Sequence, residues 1–286
     1  RGCEFKYSNT HIFESSQKGI TDLIYFMKKQ LLPGLFLGLA LLIVSCKSKE
    51  TATVAPLKAD TTTYNKKFCA SDTVCATFSV MVPQISGGDT AVANAVNHSI
   101  QSYVLSTIGA NEALTFPVAM DSAALQFIAE FKQSMIDRPD FPMGYDMEIK
   151  GATPMLTSKV ATLHLDGYSF MGGAHPNSFT TIVSYNLLDK GKALTVSALV
   201  ADTNAVRPLL EAGYKQAKGM KPEEKITELL YPELPQLPMP ANVAVLPEGI
   251  IFYYNAYEVA AYAVGPTEII LTWEQLGALA DRKKWL

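Results

Sequence analysis

The chain has 286 residues, of which 48% are hydrophobic and 18% charged, and its formal net charge is −3. This composition is sufficient for a large apolar core and excludes a disordered polymer. The absence of a basic excess argues against nucleic acid as a partner. Mean hydropathy is +0.12, which is high for a soluble protein, and one N-terminal segment contributes part of the excess.

That segment, residues 27–45, has the pattern of an export signal. Lys28 and Lys29 precede an apolar run from residue 31 to 44, and Ser45-Cys46 follows. The run is too short for a permanent membrane span, and a basic start before a short apolar run is typical of a signal peptide. Its end resembles a bacterial lipobox, so Cys46 is the predicted lipidation site. We therefore expect an exported protein, lipid-anchored to the cell envelope on the periplasmic or surface side of the outer membrane.

The rest of the chain divides into three parts by composition. Residues 1–26 precede the predicted start at Met27 and are interpreted as a non-native upstream segment. Residues 46–64 are rich in Lys, Thr and Ala without an apolar period, which predicts a flexible tether. Residues 65–286 are then a single domain. Five of the 24 basic and three of the 27 acidic residues precede Cys46, which leaves a net charge of −5 for the mature chain.

Cys69 and Cys75 are the cysteines that remain after Cys46 in the predicted mature chain. An oxidising compartment allows them to form a disulfide. A zinc site would need two further ligands, and the sequence places no other Cys or His near them. The disulfide is therefore favoured over a metal site.

In chain order, hydrophobic alternation first predicts a strand over residues 76–85. Two amphipathic helices follow, one over 87–109 with Asp89 as its N-cap and one over 121–139. In the second helix, the side chains expected to point inward are Leu125, Ile128, Phe131 and Met135.

The middle of the chain alternates as a β-meander, with strands near residues 145–150, 161–165 and 179–187. Helical patterns return at 205–219 and 223–231, and the chain ends with a pair of strands and a terminal helix. No internal repeat is present. The pattern predicts an α+β domain in which a largely antiparallel sheet has helices packed on one face.

His175 lies in the stretch "YSFMGGAHPNSFTTIVSY", between two predicted strands. A general base would need a nucleophile or metal partner, and the sequence shows neither a nucleophile elbow nor a second histidine at ligand spacing. Gly172 and Gly173 permit positive φ, and Pro176 fixes the exit of the loop. A turn is therefore favoured over a catalytic role for His175.

Four tyrosines, Tyr253, Tyr254, Tyr257 and Tyr262, fall within ten residues. Such a density is able to form a sugar-stacking or protein-binding surface, although alternate rings packing on the sheet would explain it as well. Asp166 and Glu258 could supply a carboxylate pair for glycoside chemistry, but the sequence does not fix their separation. The sequence thus predicts no catalytic residue, metal or cofactor.

The residues 172–175 and the segment 257–266 resemble the exported domain shared by RsiV-type anti-sigma factors and the N-terminal part of PdaC-type peptidoglycan deacetylases. The resemblance covers roughly residues 65–280 and implies a non-enzymatic module that binds a lysozyme-like protein or peptidoglycan. An envelope glycan hydrolase or deacetylase and a purely structural lipoprotein stay open as alternatives. The candidate binding surface consists of Gly172, Gly173, His175, Asn177, Tyr253, Tyr254, Tyr257 and Tyr262.

Replacement of Cys46 by Ala should abolish lipid modification and release the protein from membranes, since a diacylglycerol and an acyl chain together anchor stably. Mass spectrometry of the N-terminus and membrane fractionation measure the two effects. Normal processing and membrane retention of the Cys46→Ala protein would show that it is not a lipoprotein.

Overall fold

The computed structural model describes residues 55–286; the predicted signal peptide and Cys46 lie outside this range. The strands are β1 (Lys58–Cys69), β2 (Cys75–Ser86), β3 (Tyr145–Leu156), β4 (Val160–Phe170), β5 (Asn177–Asn186), β6 (Lys192–Ala193), β7 (Asn242–Val245), β8 (Gly249–Tyr254) and β9 (Thr267–Thr272). The α-helices are α1 (Thr90–Thr107), α2 (Phe116–Asp137), α3 (Val196–Leu199), α4 (Thr203–Ala217), α5 (Trp273–Leu276) and α6 (Arg282–Trp285). Across residues 55–286 no helix combines the length and apolarity needed to cross a membrane.

The described strands form one sheet in the order β1-β2-β3-β4-β5-β7-β8-β9, with β6 paired to β5. All pairs are antiparallel except β2 with β3 and β5 with β7. Helices lie in the connections between both parallel pairs, as parallel pairing requires a long crossover. The predicted α+β class and the largely antiparallel sheet are confirmed.

Helix α1 begins where its sequence predicts. The side chain of Asp89 accepts hydrogen bonds from the backbone N–H groups of Ala91 and Val92, which satisfies donors that a helix leaves free at its start. Three of its apolar residues at intervals of four, Val96, Ile100 and Val104, are buried with the inward side chains of β2.

Helix α2 begins earlier than predicted, at Phe116, with Pro117 in its first turn. Its buried stripe includes Ala124, Phe127, Ile128 and Phe131. The prediction for Leu125 is wrong: this side chain is 57% exposed, because each helical residue is rotated about 100° from the one before it and Ala124 already faces the core. The helix predicted at 223–231 is also wrong, since that region contains only the 3-10 turn Ile226–Glu228.

The predicted tether reaches too far into the chain. Residues 58–64 belong to β1, which pairs with β2 over its whole length. Tyr64 packs edge-on against Phe78 at 6.0 Å between ring centroids, and its hydroxyl donates to Asp121 at 2.6 Å. Hydrophobic alternation does not indicate this strand, because β1 lies at the sheet edge and most of its side chains are exposed.

Two large apolar clusters fill the described fold, one between α1, α2 and β2–β5 and the other around α4 and β7–β9. Backbone pairing between β5 and β7 is limited to Val183 with Val243. Buried hydroxyl groups reinforce this junction. Thr162 Oγ1 donates to the carbonyl of Val245 at 2.7 Å, and Ser184 Oγ accepts from its N–H at 2.8 Å.

The predicted disulfide is confirmed: Cys69 and Cys75 are joined at the turn between β1 and β2. Removal of this cross-link in the Cys69→Ser, Cys75→Ser double variant should lower the free energy of unfolding by about 2 kcal/mol, because the denatured chain gains loop entropy. Urea unfolding measures the change. Unaltered stability would show that the bond does not constrain the unfolded chain.

Candidate functional site

His175 lies in the connection between antiparallel β4 and β5, as the turn hypothesis predicts. Gly172 and Gly173 have φ of 82° and 120°, conformations that residues with a Cβ rarely adopt. The Nδ1–H group of His175 donates to the carbonyl of Pro176 at 2.9 Å, which leaves the exposed ring anchored to its own loop.

The ring of His175 stacks on Tyr262, with 4.5 Å between ring centroids and 18° between planes. Tyr257 packs against the same tyrosine at 5.2 Å. All three side chains are exposed. The fold therefore brings the glycine-containing turn and the tyrosine-rich segment into contact, and we call His175, Tyr257 and Tyr262 the aromatic cluster.

Tyr257 has φ of 67°, in the left-handed region that is unfavourable for a bulky residue. It lies in a turn closed from both ends: the N–H of Glu258 donates to the Asn255 carbonyl at 3.1 Å, and the N–H of Asn255 donates to the Glu258 carboxylate at 2.8 Å. Partial burial raises the pKa of Glu258. Backbone strain of this kind costs about 1–3 kcal/mol and persists where surrounding contacts enforce it.

Asn255 connects this turn to β5. Its Oδ1 accepts from the N–H of Thr180 at 2.7 Å, and its Nδ2 donates to the carbonyl of Thr180 at 2.9 Å. A side-chain amide thus makes both bonds that a neighbouring strand would have made. β7 does not make them, because it pairs with β5 only at Val183.

Lys218, directly after α4, holds the segment that follows Tyr262. Its Nζ donates to the carbonyls of Val264, Gly265 and Pro266 at 2.7, 3.4 and 3.0 Å. Partial burial lowers the pKa of this lysine. Three carbonyl acceptors use all three N–H groups of an ammonium, so this lysine serves the loop that carries Tyr262.

Two of the four tyrosines predicted for the binding surface lie outside the aromatic cluster. Tyr254 is 1% exposed, its hydroxyl donates to the Pro238 carbonyl at 2.7 Å, and burial raises its pKa. The prediction that Tyr254 belongs to the binding surface is wrong. Alternate side chains of β8 point to opposite faces of the sheet, and the side chain of Tyr254 points into the core. Tyr253 is half-buried, on the opposite face, with its hydroxyl 3.2 Å from Thr180 Oγ1.

Gly172, Gly173 and Asn177 lie within three positions of His175 in the sequence. Gly172 lies beside Met143 and the guanidinium of Arg138, whereas Gly173 has open space where a Cβ would be. Asn177 is exposed at the start of β5.

The carboxylates of Asp166 and Glu258 belong to separate sets of hydrogen bonds. Asp166 Oδ1 accepts from Thr180 Oγ1 at 2.8 Å and pairs with His164 Nε2 at 3.0 Å, whereas Glu258 bonds to its own turn. Thr180 and Asn255 connect the two sets. Within residues 55–286 no three His, Cys, Asp or Glu side chains are grouped to hold a metal ion.

Sequence reasoning missed Asn255, Lys218 and Thr180. The spacing of Asn255 and Glu258 carried a signal, because a cap residue followed three positions later by Glu is a known reciprocal pattern. Lys218 and Thr180 carried none, since Lys218 binds carbonyls that begin 46 positions away and Asn255 lies 75 positions from Thr180.

Two stretches of this chain match models of known protein families. Residues 69–178 match the family model described as "Deacetylase PdaC", and residues 197–274 match the model described as "Protein of unknown function (DUF3298)". No curated protein sequence matches the chain significantly.

Two crystal structures of DUF3298 family proteins share the fold. One, from Bacteroides fragilis, has a TM-score of 0.59 and 18% identity, and the alignment covers 79% of this chain and 94% of that one. The other, from Pseudomonas aeruginosa PAO1, has a TM-score of 0.52 and 14% identity, with 81% and 96% covered. Identities this low establish similarity of fold alone.

Asn255→Asp tests the amide bridge with an isosteric change. A carboxylate oxygen would replace Nδ2 and face the Thr180 carbonyl, so the free energy of unfolding should fall by about 1–3 kcal/mol. Asn111→Asp is the matched control, because the side-chain oxygen of Asn111 only accepts from the Ala113 N–H, a bond that Asp can also make. Equal stability of the two variants in urea unfolding would contradict the bridge.

Proposed function

We propose that this protein is a lipid-anchored, non-enzymatic module of the bacterial cell envelope that binds or senses a lysozyme-like protein or peptidoglycan through the aromatic cluster. The observation that carries the proposal is the stacking of His175 on Tyr262, with Tyr257 against it. His175 lies in the region that matches the PdaC model, and both tyrosines lie in the region that matches DUF3298. The surface therefore exists only when both regions are folded against each other.

The cluster has the properties of a binding surface. Tyrosine and histidine rings supply rigid contact area with polar edges, and tyrosine is among the residues that contribute most to the binding energy of many interfaces. Tyr257 is held in a strained backbone conformation, and Asn255 and Lys218 fix the segments on either side. A surface ordered in advance loses little conformational entropy when a partner binds.

The two partners differ in the forces that they would use. The predicted mature chain carries five excess negative charges. A cationic lysozyme-like protein would be attracted over a distance and would bind more weakly at high salt. A glycan stacked on the tyrosines would bind with little salt dependence, so one salt series tells the partners apart.

Glycan hydrolysis and deacetylation are not included in the proposal. The Glu258 carboxylate closes the turn that carries Tyr257, and Asp166 is bonded to Thr180 and His164. Glu258 thus stabilises the turn that carries Tyr257, and Asp166 belongs to a separate set of hydrogen bonds.

Tyr262→Ala should weaken partner binding about tenfold, since it removes the ring on which both other rings pack. Tyr257→Asn should also weaken it without loss of stability, because Asn tolerates the left-handed conformation. Tyr103→Ala is the control, as that tyrosine is similarly exposed but lies on α1. Isothermal titration against lysozyme and against soluble peptidoglycan fragments, at low and high salt, provides the affinities.

Two results would count against the proposal. One is the absence of binding to both ligands at millimolar concentration. The other is an equal effect of Tyr262→Ala and Tyr103→Ala.

A further inference from the structure

The outer side of helix α2 carries large apolar side chains that the core of its own chain does not use. Val118, Leu125 and Ile136 lie on the helix and are more than half exposed. Leu114, which precedes the helix, and Phe141, which follows it, are exposed as well. A single exposed apolar residue is ordinary, but a contiguous group of them marks an interaction surface.

The three helical residues are aligned along α2. Successive residues of an α-helix are rotated by about 100°, so Val118, Leu125 and Ile136 share one direction to within about 20°. Ala129 is also exposed and lies beside them. We call these four residues the outer stripe. It is about 27 Å long and lies opposite the buried face of α2, so it points away from the core of its own chain.

The outer stripe is complementary to a second copy of itself. In an antiparallel pair of α2 helices related by a two-fold axis, residues at equal distances on either side of the axis face each other. With the axis at the level of residue 127, Val118 of one copy faces Ile136 of the other, and Leu125 faces Ala129. A large side chain thus meets a small one next to the axis, which allows the helices to pack closely.

The same arrangement accounts for the exposed residues beyond the ends of α2. Leu114 precedes the helix and Phe141 follows it. An antiparallel pair brings Leu114 of one copy to the same end as Phe141 of the other. One axis therefore provides an apolar neighbour for each exposed large side chain along this part of the chain.

The polar residues beside the stripe favour the same antiparallel orientation. Asp121 and Lys132 lie on one side of the stripe, and the two-fold axis would place each within one position of facing the other in the second copy. Ser122 and Gln133 lie on the other side and would meet in the same way. A parallel pair would instead place Asp121 beside Asp121 and Lys132 beside Lys132, which like charges oppose.

A membrane surface fits the stripe less well than a second copy does. Helix α2 carries three acidic residues, Asp121, Glu130 and Asp137, and one basic residue, Lys132. Helices that lie on membranes are typically rich in Lys and Arg on their polar side. The charges of α2 therefore favour a partner that supplies both signs, as a second α2 does.

We propose that the protein forms a two-fold symmetric homodimer in which the outer stripes of two α2 helices pack antiparallel. The dimer surface shares no residue with the aromatic cluster, because His175, Tyr257 and Tyr262 lie outside α2. The inference is thus separate from the proposed binding function, and either one can fail without the other.

Leu125→Glu tests the dimer, because it places a charge in the stripe without removing a core side chain. Leu188→Glu is the matched control, since it makes the same change at an exposed leucine in the turn after β5. In sedimentation equilibrium at about 100 μM, the native protein should be a dimer, and Leu125→Glu should weaken the association about tenfold or more. Leu188→Glu should leave it unchanged. A monomeric native protein, or equal effects of the two variants, would overturn the proposal.

A photo-crosslinker tests the orientation of the two helices. The photoreactive residue p-benzoylphenylalanine in place of Phe141 should form a cross-link near Leu114 of the second copy, which mass spectrometry can locate. A mixture of isotope-labelled and unlabelled protein shows that the link joins two copies. Cross-links between the two positions 141 would indicate a parallel pair and would contradict the antiparallel dimer.

Vesicles of phosphatidylethanolamine and phosphatidylglycerol test the other occupant of the stripe. The native protein and Leu125→Glu should co-sediment with these vesicles to the same extent, because the stripe is covered by the second copy. Vesicle binding that Leu125→Glu alone abolishes, together with a monomeric native protein in solution, would identify a membrane as the occupant and would overturn the dimer.

Discussion

The junction between β5 and its C-terminal neighbours is the constraint on which the rest of the structure depends. Two apolar clusters meet there, yet β5 and β7 share backbone pairing only at Val183 and Val243. Side chains supply the missing bonds: Asn242 and Asn255 bind β5 from one side, and the hydroxyls of Thr162 and Ser184 bind β7. Buried polar groups are costly unless they are paired, so these contacts also specify how the two halves fit.

The candidate surface is a consequence of this junction. Asn255 binds the backbone of Thr180, and this places the turn with Tyr257 beside the loop with His175. The side chain of the same threonine orients Asp166. One residue of β5 thus holds Asn255 through its backbone and Asp166 through its side chain.

Particular residues show how far the sequence alone could lead. The N-cap Asp89, the β-meander and the disulfide were predictable, because caps, alternation and isolated cysteine pairs act over short distances along the chain. The edge strand β1 and the exposed Leu125 were not. Strand β1 is held by backbone pairing that any sequence can make, and Leu125 depends on which helical face meets the sheet.

By itself, the sequence determined the α+β class, the largely antiparallel sheet and the turn at His175, since each follows from local periodicity or backbone preference. It also indicated the two segments that form the candidate surface, but it placed Tyr254 among the surface residues. Only the tertiary structure decided that His175, Tyr257 and Tyr262 meet while Tyr254 is buried, and that Lys218 and Asn255 hold them. The physical reason is distance along the chain: the contacts of Lys218 with Val264, of Asn255 with Thr180 and of His175 with Tyr262 join residues 46 to 87 positions apart, and no local pattern encodes such a pairing.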